Sequence, residues 1–260
     1  MRTDRYVHSG RRWADGAELV YGPLAAELLS LSPHPLTGRT VLDAGAGTGA
    51  VSAALVAQGA SVLAVDYSAA MLTWDAAARP PAAVADIRAL PLAANAVDDS
   101  VAAFVLNHLT DPGHGLAELA RVTRPGGAVL ATVFSNEGQS QVRDKVDALA
   151  REWGWQAPAW YTKLNATAVP LLGSEAAMAA AAQAAGLTDV HAEERQVDVG
   201  VAQPRQLVRY RLGHVVFTDW LDAIGPAQAQ DFAAAAEQAV SGVMEPYRPA
   251  VVFLCALAPR

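Results

Sequence analysis

Along most of the chain, short apolar runs of strand length alternate with stretches whose apolar residues recur at helical spacing. The runs predict buried strands, and the recurring pattern predicts helices with one face against a core. The predicted strands cover residues 41–42, 61–66, 83–87, 100–106, 128–134, 190–199 and 251–257. The predicted helices cover residues 17–31, 51–56, 69–78, 116–122, 174–185 and 231–243, with a further helical excursion at 204–222. This alternation is typical of an α/β fold built on a mostly parallel sheet with helices on both faces.

The stretch 39–56, RTVLDAGAGTGAVSAALV, places a glycine-rich turn between the first strand and its helix. Asp43 ends the strand, and Gly45, Gly47 and Gly49 follow at alternate positions. Because glycine has no Cβ, a ligand can lie almost against the backbone N–H groups of the helix N-terminus. The spacing D-x-G-x-G-x-G differs from the dinucleotide pattern G-x-G-x-x-G, and its carboxylate suits a ribose or a positive charge better than a pyrophosphate. A glycine turn that serves only tight packing remains the alternative.

The second predicted strand also ends in an acid, Asp66, about twenty residues after the glycine turn. From that place a carboxylate meets ribose hydroxyls in mononucleotide-binding α/β folds. The alternative is that Asp66 only caps the next helix, but Ser68 already offers a cap there. Tyr67 and Met71 follow where their side chains could flank the ligand.

The chain from residue 41 to about residue 134 resembles the class I S-adenosylmethionine-dependent methyltransferases. The first motif lies in VLDAGAGTGA, and VLNHLTDPGHGLAELARVTRPGGAVLATVF is similar to the second half of small-molecule enzymes of the type 11 or ubiquinone-biosynthesis group. The resemblance implies a doubly wound, mostly parallel, Rossmann-like sheet of seven strands, with the last strand antiparallel between strands five and six. It also implies S-adenosylmethionine as cofactor and S-adenosylhomocysteine as product.

Within this resemblance the glycine loop cradles the amino-acid part of the cofactor, Asp66 accepts hydrogen bonds from the ribose, and the adenine lies beside a third strand-end acid. An exposed acid at a strand end is common, so the prediction that Asp86 contacts the adenine depends on the motifs that precede it in the chain. The strand ends, Asn107 included, should converge on one cleft. The predicted cofactor contacts are Asp43, Gly45, Ala46, Gly47, Gly49, Asp66, Tyr67, Met71, Asp86, Ile87 and Asn107.

We interpret the whole chain, 1–260, as one methyltransferase domain. Residues 1–38 form an N-terminal lid, residues 39–134 the cofactor-binding half, and residues 135–173 and 203–245 two helical insertions on the substrate side. The aromatic residues of the insertions indicate either the core of a cap or the wall of an apolar substrate pocket. Tyr21 of the lid either contacts a ligand or packs the lid down. The candidate substrate contacts are Tyr21, Trp153, Trp155, Trp160, Tyr210 and His214.

Composition narrows the possible partners. A net charge of −7 without a run of Lys or Arg argues against nucleic-acid binding. The single Cys255 excludes an internal disulfide and is compatible with a reducing cytosol. The sequence shows no secretory signal and no apolar run of membrane-spanning length, so we expect a cytoplasmic protein. No cluster of His, Asp, Glu and Cys has metal-ligand spacing, so no catalytic metal is expected. The sequence does not indicate an oligomeric state.

The predicted function is methyl transfer from S-adenosylmethionine to a small, apolar or aromatic metabolite of bacterial specialised metabolism. Asn107 is followed by His108 and Leu109 rather than by the Pro-Pro-aromatic loop of enzymes that methylate base or amide nitrogens, so that class is disfavoured. His108 is a candidate general base, and the alternative is that it caps the strand end or bonds a loop carbonyl. A cyclase that keeps the cofactor as a structural part, or a binding protein on the same fold, is the alternative function.

Overall fold

The computed structural model describes residues 4–7 and 9–260, and its centre is one sheet of seven strands. The strands are β1 (Thr40–Ala44), β2 (Ser61–Asp66), β3 (Ala82–Val84), β4 (Asp99–Ala103), β5 (Ala128–Phe134), β6 (Thr188–Gln196) and β7 (Ala250–Leu257). Their order is β3-β2-β1-β4-β5-β7-β6. The first five strands are mutually parallel, and β7 runs antiparallel to both β5 and β6. The predicted fold class and the place of the last strand are therefore confirmed.

Helices flank both faces of the sheet and build a cap beyond its carboxyl edge. They are α1 (Gly10–Arg12), α2 (Glu18–Ser30), α3 (Ala50–Ala57), α4 (Ala69–Thr73), α5 (Pro112–Val122), α6 (Gln141–Glu152), α7 (Ala159–Thr167), α8 (Glu175–Ala184), α9 (Pro204–Leu212) and α10 (Thr218–Ser241). A π-helical turn, Trp13–Ala17, joins α1 to α2. No helix in the described part of the chain is long and apolar enough to cross a bilayer.

Several predicted boundaries of helices and strands are wrong. The helix predicted over 69–78 ends at Thr73, and Asp75 then adopts a left-handed backbone with φ of 45°. The strand predicted over 100–106 ends at Ala103, because Phe104 takes a φ of 55° and turns the chain out of the sheet. The helix predicted over 231–243 begins far earlier, at Thr218, with a kink at Gly225. Turn conformations of this kind depend on tertiary contacts that periodicity does not contain.

The helix α2 is part of the sheet's core rather than of a detachable lid. Its residues Val20, Leu24 and Leu28 are fully buried and belong to the same apolar cluster as Val41 of β1 and Phe253 of β7. Within the predicted lid of residues 1–38, one face of α2 therefore belongs to the core. Deleting residues 1–30 would remove these core side chains and is expected to destabilise the sheet.

The cap has an apolar core of its own, formed mainly by α6, α9 and α10. Trp155 is 2% exposed, stacks on Phe217 with ring centroids 4.5 Å apart, and donates its indole N–H to the Val216 carbonyl oxygen at 3.0 Å. Trp153 packs edge-on against Phe232 in the same cluster. For these two tryptophans the substrate-wall hypothesis is wrong, and the alternative of a cap core describes their environment.

We expect Trp155→Ala to lower the free energy of unfolding by about 3–5 kcal/mol, because it leaves a large cavity in the cap and an unpaired carbonyl. Urea unfolding followed by circular dichroism measures this loss. Trp160→Ala is the control: Trp160 is half-buried at a cavity wall, and we expect a loss of about 1 kcal/mol or less. Equal losses in the two variants would contradict the assignment of Trp155 to the cap core.

Candidate functional site

The carboxyl ends of the parallel strands meet along one edge of the sheet and open into a cavity of about 700 Å³. Asp66 ends β2, Asp86 lies two residues beyond β3, and both side chains line this strand-end cavity together with Tyr67 and Ile87. A smaller space of about 130 Å³, the glycine-loop pocket, adjoins it above the turn after β1. The predicted contacts that line the glycine-loop pocket are Gly45, Ala46, Gly47, Asp66, Met71 and Asn107.

The turn after β1 requires glycine at two positions for different reasons. Gly45 has a φ of 82°, and a Cβ on it would lie 2.5 Å from the Cβ of Val105. Gly47 has a φ of 54°, but a Cβ there would meet only the Met71 methyl group, at 3.6 Å. The backbone at Gly47 therefore borders free volume on the side of the pocket. Gly49 lines neither space and serves instead as the N-cap of α3, with φ of 108°.

Arg79 braces the same loop from outside the pocket. Its Nη1 donates to the carbonyl oxygens of Gly47 at 3.1 Å and of Met71 and Leu72 at 3.2 Å. One guanidinium thus ties the glycine turn to the end of α4. Sequence analysis did not single out Arg79, because a lone Arg after a helix carries no motif.

The Asp66 carboxylate stands at the border between the two spaces. Its Oδ2 accepts from the Gly47 N–H and its Oδ1 from the Ser68 N–H, both at 2.8 Å. Burial raises the pKa of Asp66, while these two N–H groups lower it. Each carboxylate oxygen has a second lone pair, so the group can accept two further hydrogen bonds from a ligand. Ser68 caps α4 by accepting from the Met71 N–H, which leaves the Asp66 carboxylate available.

Asp43 lies beneath the glycine loop and does not face the cleft. It is 1% exposed, it lines neither space, and Ser52 of α3 donates its hydroxyl to Oδ2 at 2.5 Å. In this structure the carboxylate therefore joins β1 to α3, and its contact with a ligand stays a prediction. Burial raises the pKa of Asp43 to about 6, and the Ser52 hydrogen bond only partly offsets that rise.

This raised pKa makes stability depend on pH with a defined sign. Between its unfolded value and about 6, the folded protein binds a proton that the unfolded chain has released, so stability falls as pH rises. At 1.36 kcal/mol per unit, a rise of about two units costs about 3 kcal/mol at neutral pH. We expect Asp43→Asn, which keeps a hydrogen-bond acceptor for Ser52, to lose this cost. In urea unfolding from pH 4 to 7, the free energy of unfolding of the variant should rise relative to that of the wild type as pH increases. A constant difference between the two proteins over this range would contradict the assignment.

Asp86 is paired within the protein. Arg88 binds both of its carboxylate oxygens through Nε, at 2.9 and 3.2 Å, and through Nη2. Its side chain is 29% exposed at the rim of the strand-end cavity. Ile87 is buried and lines the cavity beside it. An adenine amino group would have to share Asp86 with Arg88, a competition that the sequence did not reveal.

Aromatic side chains of the described N-terminal residues, from Tyr6 to Tyr21 on α2, cover the cleft. Trp13 stacks on Tyr21 with centroids 5.1 Å apart, and Tyr21 packs edge-on against Phe104 at 4.9 Å and Phe134 at 6.0 Å. Tyr21 also lines the glycine-loop pocket, so it both packs the cover and faces the cleft. Tyr6, which sequence analysis did not select, lines all the spaces described here, including the aromatic cavity defined below.

Asn107 and His108 lie in the short 3₁₀ turn Leu106–His108 that follows β4. The Asn107 Oδ1 atom is buried without a hydrogen-bond partner among the described residues, and its side chain lines the glycine-loop pocket. The Nδ1 atom of His108 is 3.5 Å from the hydroxyl of Tyr6. Burial, with a further effect of Arg5, lowers the pKa of His108 to about 4, so the imidazole is neutral at physiological pH.

A third space of about 610 Å³, the aromatic cavity, lies between the sheet edge and the cap. Of the predicted substrate contacts, Trp160, Tyr210, His214 and Tyr21 line it, whereas Trp153 and Trp155 do not. Tyr161, next to Trp160 in the aromatic cluster of the first insertion, lines the cavity as well. Sequence analysis missed Trp13, Arg143 and Tyr247, because isolated aromatic or basic residues on separate elements give no sequence signal until the fold brings them together.

His214 is a neutral side chain inside the aromatic cavity. Burial, followed by the positive charges of Arg211 and Arg143, lowers its pKa well below the ordinary value. Its ring packs against Tyr210 with centroids 4.9 Å apart, and its Nε2 has no hydrogen-bond partner among the described residues. In the same described residues, no group of three or more His, Cys, Asp or Glu is placed to hold a metal ion.

The central part of the chain is similar to known protein sequences. Residues 42–131 match the methyltransferase domain family. A demethylmenaquinone methyltransferase of Mycolicibacterium vanbaalenii is 39% identical over 109 residues, which are 42% of this chain and 46% of that protein. The match thus spans about half the length of this relative, and the family match ends before the cap.

Solved structures resemble the chain over nearly its whole length. A Haemonchus contortus phosphoethanolamine N-methyltransferase 2, solved with S-adenosylhomocysteine, has a TM-score of 0.61 at 17% identity, over 91% of this chain and 52% of that one. The [4+2]-cyclase SpnF has a TM-score of 0.57 at 19% identity, over 92% and 80% of the two chains. At these identities the likeness is one of fold.

The sequence match and the fold agree with the residues at the strand ends. The glycine loop after β1, the acid after β2 and the antiparallel β7 occur together in the order expected from the motifs of the central region. Residues 42–131 therefore match a methyltransferase domain, and the seven-stranded sheet built around them has the Rossmann-like fold of the class I S-adenosylmethionine-dependent methyltransferases.

Proposed function

We propose that this protein transfers a methyl group from S-adenosylmethionine to a small molecule held in the aromatic cavity. The observation that carries the proposal is the continuity of the cleft. Tyr6 and His108 line the strand-end cavity, the glycine-loop pocket and the aromatic cavity alike. A cofactor bound along the sheet edge would therefore meet a second ligand at this junction.

The residues of the cleft fit this cofactor. The backbone at Gly47 leaves room for an atom group that any Cβ would occupy, and the Asp66 carboxylate has lone pairs free for two ribose hydroxyls. The unpartnered Oδ1 of Asn107 offers a further acceptor for the amino-acid part. When bound, S-adenosylmethionine supplies an electrophilic methyl group on a sulfonium sulfur.

The residues around the junction then orient the second ligand and exclude water. The cover formed by Trp13 and Tyr21 closes the space over Phe104 and Phe134, so a reacting atom there lies among aromatic faces. Exclusion of water strengthens every electrostatic interaction inside the site, and fixed orientation supplies most of the advantage of an enzyme that joins two reactants.

We propose His108 as the proton acceptor when the methylated atom carries a hydrogen. Its imidazole is neutral above a pKa of about 4 and borders the spaces on both sides of the junction. A hydroxyl oxygen that gains a methyl group while it still carries its hydrogen becomes strongly acidic, so even a weak base can take that proton, whereas a methylated amine is a weak acid and needs no base at this step. A substrate that is already ionised needs no such base.

For the substrate we propose a small apolar or aromatic metabolite of bacterial specialised metabolism. Eight Phe, Tyr and Trp side chains line the aromatic cavity, and its volume of about 610 Å³ suits a drug-sized molecule. The relative named above is called a demethylmenaquinone methyltransferase, and demethylmenaquinone is a small molecule. The cap that encloses the cavity lies outside the region matched by the family, so the match does not identify the substrate.

The test is mass spectrometry of a bacterial metabolite extract incubated with the protein and trideuteromethyl-labelled S-adenosylmethionine. We expect at least one small molecule to gain one labelled methyl group and S-adenosylhomocysteine to form with it. Binding of the cofactor with rearrangement of a metabolite at constant mass would instead identify a cyclase on this fold, and binding with neither change would identify a binding protein.

A further inference from the structure

The aromatic cavity contains a positive charge that has no counter-ion among the described residues. Arg143 lies in the first turn of α6, is half-buried, and lines the cavity. Within residues 4–7 and 9–260, its guanidinium has neither a hydrogen-bond nor an ion-pair partner, and no Asp or Glu lines the cavity. The groups with the largest electrostatic effect on it are Tyr247, Tyr210, Arg211 and Tyr161.

The neighbouring cation, Arg211, is neutralised by an acid, in contrast to Arg143. Arg211 donates from Nε and Nη2 to the two carboxylate oxygens of Asp147, at 2.7 and 2.8 Å, and its guanidinium also lies over the Phe217 ring at 4.8 Å. His214 beside it is neutral. The described lining of the cavity therefore carries one net positive charge, that of Arg143.

The position of Arg143 adds to the cost of leaving this charge unpaired. A cation in the first turn opposes the helix dipole, whose positive end is at the N-terminus of α6. Ser140, the N-cap of that helix, and Gln139 before it also line the cavity. The helix end and the guanidinium thus present positive potential to the same space. This arrangement costs the folded protein stability on its own and stabilises an anion that binds there.

We propose that the substrate of this protein carries a carboxylate on an apolar or aromatic body, and that Arg143 binds this carboxylate in the aromatic cavity. The inference rests on the proposed function, because it names the substrate class of the same cleft. A single unpaired guanidinium matches one negative charge, so a carboxylate suits it better than a doubly charged phosphate ester. The planar fork of the guanidinium also matches the two carboxylate oxygens.

The tyrosine hydroxyls and aromatic rings of the cavity complete the recognition. Tyr161, Tyr210 and Tyr247 line the cavity around the guanidinium, and a phenol can donate to a carboxylate oxygen while its ring contacts the apolar body. Burial raises the pKa of Tyr210 well above its ordinary value, so this hydroxyl stays protonated and remains a donor.

The test compares isosteric charged and neutral probes. Benzoate, 2-naphthoate and anthracene-2-carboxylate, each with its matching primary amide, are titrated by calorimetry into wild type, Arg143→Gln, Arg143→Lys and Arg205→Gln, all saturated with S-adenosylhomocysteine. Arg205 is exposed on the outer side of α9, so Arg205→Gln removes the same charge away from the cavity. We expect wild type and Arg205→Gln to bind at least one carboxylate about 10- to 100-fold more tightly than its amide.

Arg143→Gln should lose that preference without weakening amide binding, and Arg143→Lys should keep part of it. Wild type that prefers none of the three carboxylates over its amide overturns the proposal, and so does an unchanged preference in Arg143→Gln. Affinity for S-adenosylhomocysteine is measured separately in each protein. Failure of that binding would refute the proposed cofactor, and the carboxylate and amide titrations are then carried out on the same four proteins without S-adenosylhomocysteine.

Discussion

Asp66→Ala is expected to weaken binding of S-adenosylmethionine by about 30- to 1,000-fold, which is about 2–4 kcal/mol. Two charge-assisted hydrogen bonds to the ribose would be lost. The Gly47 and Ser68 N–H groups, now held by the carboxylate, would also lose their acceptor. The side chain thus acts on the ligand and on the shape of the loop that receives it. Isothermal titration calorimetry of the folded variant measures the change.

Asp231→Ala is the matched control, because Asp231 is an exposed acid on α10 far along the chain from the strand ends. It removes the same charge and should bind the cofactor like the wild type. Asp66→Asn separates the two roles, since its amide oxygen can still accept one N–H but brings no charge. Wild-type affinity in Asp66→Ala would refute the assignment of the ribose to this residue.

His108→Gln is expected to lower kcat about 10²- to 10⁴-fold if the methylated atom loses a proton to this imidazole. Glutamine can hydrogen-bond in the same place but cannot accept a proton at neutral pH. In the wild type, kcat should be constant above pH 5 and fall as pH drops through about 4, because burial lowers the pKa of His108 to that value. Protonation below that pH removes the base, so activity is lost on the acid side.

His114→Gln provides the control for this prediction, since His114 on α5 is 73% exposed and outside the cleft. Cofactor affinity is measured in both variants so that binding and chemistry are separated. A loss of only a few-fold, with the acid limb of the pH profile unchanged, would make His108 a positioning residue. Its contact with the Tyr6 hydroxyl would then be its main role.

The sheet and its cofactor edge could be predicted because their signals are local. Asp66 follows a strand directly, and Gly45 and Gly47 lie in one turn, so sequence spacing fixes where they meet. The same logic does not give the hydrogen-bond partner of Asp43. Its position at a strand end is visible in the sequence, but the direction of its side chain depends on Ser52 packing behind the loop.

The substrate side could not be predicted in the same way. Trp155 and Trp160 are five residues apart and look alike in the sequence, yet one lies in the cap core and the other at a cavity wall. Arg143 and Arg211 likewise look alike in the sequence, but Asp147 pairs with Arg211 and not with Arg143. These distinctions arise from contacts between elements distant in sequence, so composition and periodicity do not contain them.

The central claim is that the cleft at the carboxyl edge of the sheet binds S-adenosylmethionine beside a small-molecule cavity. Calorimetric titration of the wild-type protein with S-adenosylhomocysteine tests it most directly, because the product binds without turnover. The account predicts one site per chain, with affinity in the micromolar range, and loss of that binding in Asp66→Ala but not in Asp231→Ala. No saturable binding at millimolar concentrations of the ligand would contradict it.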